Sequence, residues 1–211
     1  MKILNLYAGI GGNRKLWGKE HDITAVEIDP EIAKVYSDYF PDDKMVIGDA
    51  HQYLLEHYKE YDFIWTSTPC PTHSRARFWG ARNRDPVYPD MMLWQEIIFL
   101  KHYYDGQWVS ENVNPYYEPL ITPTRKVGRH MFWANFYIPE FEYKEANINK
   151  GNRKEWTELH GISIDGYKFN TRTDKILRNC VHPETGLYIL ECATGLINSK
   201  TEQGTLFEAT P

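Results

Sequence analysis

Apolar and polar positions change rhythm several times along the first half of the chain. Lys2 to Tyr7 is a short β-rich run that breaks at Ala8-Gly9-Ile10-Gly11-Gly12, and Asn13 to Lys19 then reads as helix. Ile23 to Ile28 is a second strand. It is closed by Asp29-Pro30, a helix-start signal that opens a helix from Glu31 to about Phe40. A third strand, Met45 to Ile47, ends at Gly48-Asp49, and His51 to Glu60 reads as helix. Asp62 to Thr66 is a buried strand running into Ser67-Thr68-Pro69-Cys70-Pro71. Residues 72 to 89 have no periodicity and read as a basic loop, before a helix from Met91 to Tyr104 and a strand from Gln107 to Glu111. Strands alternating with helices predict a doubly wound α/β sheet, in which ligands bind at the carboxyl ends of the strands. The unusual residues of this chain fall at those ends.

Beyond Asn112 the pattern loosens. Met131 to Ile138 reads as a strand, 139 to 175 is polar with scattered Lys and Arg, and order returns from Lys175 to Cys192. The stretch from Asn198 to Pro211 is polar and is expected to be disordered.

Composition narrows the class without naming a function. A chain of 211 residues can bury one good core with room for a small extra lobe. It has no apolar run long enough to span a bilayer, and Met1 leads into Lys2-Ile3-Leu4-Asn5-Leu6 rather than a signal peptide. Cys70, Cys180 and Cys192 are too few for a disulfide framework and lack zinc-ligand spacing, so reduced thiols in a cytoplasmic monomer and no bound metal are expected. The formal charge of -5 disfavours a nucleic-acid partner unless basic residues gather locally. They do so in the loop after Cys70, with Arg75, Arg77, Arg82 and Arg84 beside Phe78 and Trp79. A solvated loop with two buried aromatics is the plainer account of the same residues.

Three features point to a nucleoside-containing cofactor. Tyr7-Ala8-Gly9-Ile10-Gly11-Gly12 lets backbone approach a ligand closely, although many α/β proteins have such a turn. Glu27 ends the second strand, where Rossmann-like folds place an acid against ribose hydroxyls, and Asp49 repeats the arrangement on the third. Taken singly, either acid is also an ordinary surface carboxylate. Cys70 stands between prolines at the end of a buried strand, so its direction is set by covalent geometry, and Arg75 and Arg77 are placed to favour its thiolate. Glu111-Asn112-Val113 lies just past another strand, where a buried acid has no obvious structural reason. His73 and His130 read as hydrogen-bonded structural histidines.

The order of these elements resembles the motif series of the DNA cytosine-5 methyltransferases. The series is Tyr7 to Gly12, Glu27, Gly48-Asp49-Ala50, Pro69-Cys70 with Ser74 four residues on, Glu111-Asn112-Val113, and Arg178-Asn179-Cys180-Val181-His182-Pro183. The match covers about 1 to 135 and 175 to 192. The chain departs from it at Pro71, where the family has Gln, and at Arg178 and His182. Arg125-Lys126-Val127-Gly128-Arg129-His130 also replaces the family's Gln-x-Arg-x-Arg element.

The resemblance implies a Rossmann-like methyltransferase fold that uses S-adenosylmethionine. It divides the chain into a catalytic cofactor-binding domain (1–135), a reduced target-recognition lobe (136–175), a returning segment (176–196) and a tail (197–211). It makes Cys70 the nucleophile and Glu111 the acid that stabilises the activated base. The cofactor is expected on Tyr7 to Gly12, Glu27, Ile28, Asp49, Ala50, Pro69, Leu93 and Asn179. Double-stranded DNA is expected on Ser74, Arg75, Arg77, Arg82, Arg84 and Arg129, with the target base flipped out.

Three other functions stay open. One is a tRNA cytosine-5 methyltransferase, which can share these motifs. Another is a catalytically idle nucleic-acid-binding protein on the same fold. The third is a thiol-transfer enzyme, disfavoured because no second cysteine lies near Cys70 in sequence. In the tail, Gln203-Gly204-Thr205-Leu206-Phe207 resembles the Gln-x-x-Leu-Phe peptide with which bacterial proteins bind the replicative sliding clamp; an incidental Leu-Phe is the alternative.

Overall fold

The computed structural model describes residues 1–75, 87–141 and 152–197. Among them, seven strands form one sheet in the order β3-β2-β1-β4-β5-β7-β6. Strands β1 (Lys2–Leu6), β2 (Asp22–Glu27), β3 (Lys44–Ile47), β4 (Phe63–Thr66) and β5 (Gln107–Val113) pair in parallel. Strands β6 (Arg125–Val127) and β7 (His130–Ala134) complete the edge antiparallel, β7 lying beside β5. The central strands are apolar on both faces because helices cover both.

Helix α1 (Pro30–Tyr39) starts where expected: Asp29 accepts the N–H groups of Glu31 and Ile32, and Pro30 is pre-set for the first turn. Helices α2 (Ala50–His57) and α3 (Met92–Tyr103) follow β3 and β4. The helix expected over Asn13 to Lys19 is a run of turns instead. Its side chains are committed elsewhere: Asn13 bonds Asn5 of β1 at 2.9 Å, Trp17 donates to the Gly186 carbonyl, and Gly18 takes a φ of 79°. Seven residues are too few to nucleate a helix against those demands.

The C-terminal half is more ordered than its polarity suggests. Helices α4 (Arg153–His160), α5 (Thr173–Arg178) and α6 (Pro183–Ala193) all form. Residues 152–175, expected within a recognition lobe, pack onto α1. Trp156, Ile162 and Ile164 are buried with Ile10, Val35, Tyr36 and Phe40. Tyr39 exchanges hydrogen bonds with Ser163, and Tyr167 donates to Asp38. Burying three such side chains is worth about 1.5–3 kcal/mol each, which holds the segment to the main body. None of the helices among the described residues is long and apolar enough to cross a membrane.

Candidate active site

One cavity of about 450 Å³ opens at the carboxyl ends of β1, β2, β4 and β5. It gathers residues from six separate stretches: Tyr7 to Ile10 with Gly12, Glu27 to Asp29, Ser67 to Pro71, Glu111 to Val113, Arg129 with His130, and the C-terminal run between Thr171 and Val181.

The glycine loop is shaped by special backbone angles. Tyr7 leaves β1 with a φ of 55°, rare for a non-glycine residue. Its hydroxyl donates to Glu96 at 2.5 Å, and Glu96, fully buried on α3, also takes Thr66 at 2.6 Å and His51 at 3.1 Å. Nothing in the sequence distinguished Glu96 from a surface residue of α3. Gly9 takes a φ of 56° and has open space where a side chain would stand. Gly12 has none: a Cβ there would meet the Val181 carbonyl at 2.6 Å, so the loop docks directly on the returning segment.

Glu27 ends β2 with both carboxylate oxygens held. It accepts the N–H of Gly9 and of Asp29, each at 3.0 Å. Burial raises its pKa, and those two N–H groups oppose the rise. Ile28 lines the same side of the cavity and is exposed.

Cys70 sits at the end of the stretch leaving β4. Its carbonyl accepts the N–H groups of His73 and Ser74, each at 3.0 Å, closing a tight turn. Asn112, buried at the end of β5, donates to the Thr68 carbonyl at 2.9 Å and to its hydroxyl at 3.0 Å, tying the cysteine loop to the sheet. Burial and then the Glu111 carboxylate push the Cys70 thiol up to about 11, while Arg129 pulls it back. The sequence expectation of a thiolate favoured by Arg75 is therefore corrected. Arg75 donates instead to the Pro115 carbonyl at 3.0 Å, and the guanidinium acting on Cys70 is that of Arg129. Arg129 in turn donates to the carbonyls of Arg178 and Cys180.

Glu111 is hydrogen-bonded to His130 Nδ1. The ladder explains why: Glu111 pairs with Phe132 and Val113 with His130, so Glu111 and His130 are diagonal neighbours on one face. His73 is buried with Nδ1 at 2.5 Å from the Tyr117 hydroxyl.

The cavity thus brings together Cys70, Glu111, Arg129, Glu27, Ile28, Pro69, Asn179 and the loop residues Tyr7 to Ile10 and Gly12. Several expected residues lie outside its lining. Gly11 is turned towards Tyr36 and Phe40. Asp49 caps α2 by accepting the Gln52 N–H, while Ala50 and Leu93 are core. Ser74 lies in a β-bridge to Pro115. Arg77, Arg82, Arg84, Gln203, Leu206 and Phe207 fall outside the described residues. His130, Lys175 and Thr171 line the cavity without having been selected from the sequence.

Residues 1–115 match the model of the C-5 cytosine-specific DNA methylases. The chain belongs to that family. The matched region contains both Cys70 and Glu111. Among solved structures, DNMT2 of Spodoptera frugiperda is 28% identical over 53% of this chain and 35% of that one, with a TM-score of 0.37. The chain thus spans about a third of that protein's length. EhMeth, a methyltransferase of Entamoeba histolytica, is 13% identical but aligns over 92% of this chain and 98% of that one, with a TM-score of 0.54, and so shares the fold. A comparison with curated proteins returned no match.

Proposed function

We propose that this protein methylates carbon 5 of a cytosine flipped out of double-stranded DNA, using S-adenosylmethionine and Cys70 as nucleophile. The observation that carries the proposal is the meeting of Cys70, Glu111 and Arg129 with the glycine loop and Glu27 in one cavity. Its volume lies within the 300–1,000 Å³ or so usual for small-molecule sites. The cofactor fits what is present: Gly9 leaves room where a Cβ would intrude, and the Glu27 carboxylate is fixed at the cavity wall. Tyr7 to Ile10, Gly12, Glu27, Ile28, Pro69 and Asn179 would hold it, and when bound it supplies an electrophilic methyl group.

The chain's own groups solve the other half of the problem, because carbon 5 of cytosine is a poor nucleophile. Cys70 Sγ adds to carbon 6 and moves electron density towards carbon 5. Glu111 hydrogen-bonds N3 as negative charge reaches it, and Arg129 offsets the charge of the thiolate. Loss of the carbon 5 proton to water then lets Cys70 leave by elimination. A base paired in a duplex cannot reach Cys70, so flipping precedes addition. Arg75 and the arginines that follow it are the groups proposed to hold the phosphates. Gln203, Leu206 and Phe207 are proposed, on the sequence alone, to tether the enzyme to a sliding clamp.

The test is transfer of labelled methyl groups to duplex DNA and to tRNA by the wild type and by Cys70→Ala, together with trapping on a 5-fluorocytosine duplex. Transfer to DNA, a denaturation-resistant adduct, and loss of both in the variant are expected. Transfer to tRNA alone would move the substrate to RNA, and a fully active Cys70→Ala would end the covalent mechanism.

A further inference from the structure

The Glu111–His130 pair lies beside Cys70, and the reaction gives it more to do than hold the sheet together. The cavity must accommodate a thiolate and a carboxylate close together, with the Arg129 guanidinium shared between two backbone carbonyls. His130 is the group hydrogen-bonded to Glu111 and so is placed to pass it a proton. Its ring is stacked with Phe132, at 6.4 Å between centroids and 29° between planes, which aims Nδ1 at the carboxylate. Both side chains are nearly buried, at 13% and 7% exposed.

Resting on the proposed reaction, we propose that His130 is a positioning residue that stores the proton Glu111 delivers to cytosine N3. As the Sγ–C6 bond forms, the C5–C6 π pair moves to C4–C5 and the C4–N3 π pair moves onto N3. N3 takes a single proton through Glu111, whose carboxylate draws it from the His130 imidazolium at Nδ1 and passes it on. The imidazolium becomes neutral imidazole and Glu111 ends as carboxylate. Elimination of Cys70 reverses the path, so no proton is consumed by the relay itself.

The other titratable groups facing this pair leave it the role. Cys70 is the nucleophile, and Arg129 stays charged throughout. His160 on α4 is pushed down to about 4 by burial, and the imidazole of His182, before α6, is also lowered by burial. Neither carries the proton near neutral pH.

The relay has a kinetic signature. The active form needs a thiolate and a protonated pair together. The value of kcat/KM therefore rises with pH until the pair begins to lose its proton, then levels off until the thiol titrates. Removing the imidazole lowers the affinity of the pair for that proton. The plateau then falls tenfold for each pH unit by which the break moves down. His130→Asn and His130→Gln are expected to lose about 10–100-fold in plateau kcat/KM on duplex DNA, with the acid-side break displaced downward by the matching one to two units. Added imidazole is expected to restore activity to His130→Ala. A plateau lowered with an unmoved break and no response to imidazole would show a structural role and overturn the inference alone. Absence of methyl transfer by the wild type to any cytosine substrate would overturn the proposed function, and this inference with it.

Discussion

A thiol held high is a measurable consequence of where Cys70 sits. With a pKa of about 11, roughly one molecule in a thousand carries the thiolate at pH 8, against about a quarter for an unperturbed cysteine near 8.5. The less acidic thiolate is also the better nucleophile; a Brønsted slope of about 0.45 over 2.5 units returns roughly tenfold. The free protein's Cys70 should therefore react with iodoacetamide about twentyfold more slowly than free cysteine at pH 8. Its rate should still be climbing close to tenfold per unit between pH 7 and 10. Site-resolved mass spectrometry reads this directly, with buried Cys192 as a slower control in the same sample. The signs of two substitutions follow from the charges: Glu111→Gln should speed labelling, and Arg129→Gln should slow it. Because Arg129 also holds two backbone carbonyls, Arg129→Lys serves as a charge-preserving control expected to fall between. A rate that levels off below pH 9, or faster labelling in Arg129→Gln, would refute this account of the thiol.

Three further outcomes test the frame around the site. Gly186→Ala on α6 gains up to about 1 kcal/mol of helix propensity, but its Cβ would stand 2.2 Å from the Asn13 carbonyl oxygen and 2.7 Å from its Cα. Overpacking against backbone costs about 1–3 kcal/mol, so thermal unfolding should show a net loss; an unchanged or raised Tm would refute it. Glu96→Leu leaves Tyr7, Thr66 and His51 without their shared acceptor and should destabilise by about 2–4 kcal/mol. The Glu96 contact raises the His51 pKa, so its contribution is full below the unfolded value near 6.5 and is lost as pH rises through the folded one. The penalty should accordingly be larger at pH 5.5 than at pH 8.5 in denaturant titrations, and a reversed order would contradict the pairing. Methylation mapping should find a target of about two to four base pairs, since each bidentate base contact discriminates by about 1–3 kcal/mol and little chain is left to make them. A strict six-base site would overturn that expectation.

The sequence determined six of the seven strands, β6 being the one it did not show. Alternating strands and helices, the Asp29-Pro30 start of α1 and the continuous burial of Phe63 to Thr66 are local facts, written in side-chain period and backbone preference. It also singled out Cys70 and Glu111 one at a time, because a proline-flanked cysteine and an acid past a buried strand are odd in themselves. What only the tertiary structure decided is which groups share a space. His130 became Glu111's partner through the β5–β7 register, a pairing between segments joined by a connection that linear spacing does not reveal. Arg129, rather than Arg75, faces the thiol because the turn between β6 and β7 carries it into the cavity while Pro115 holds the other guanidinium. Asp49 and Leu93 left the site for the cap and core of neighbouring elements. Residues 152 to 175, polar enough to read as a lobe, close onto α1 through a few apolar side chains spaced too irregularly to show a period. Period and propensity act over a few residues, whereas the cavity's charges and proton partners come from separate segments of the chain, so packing alone could place them.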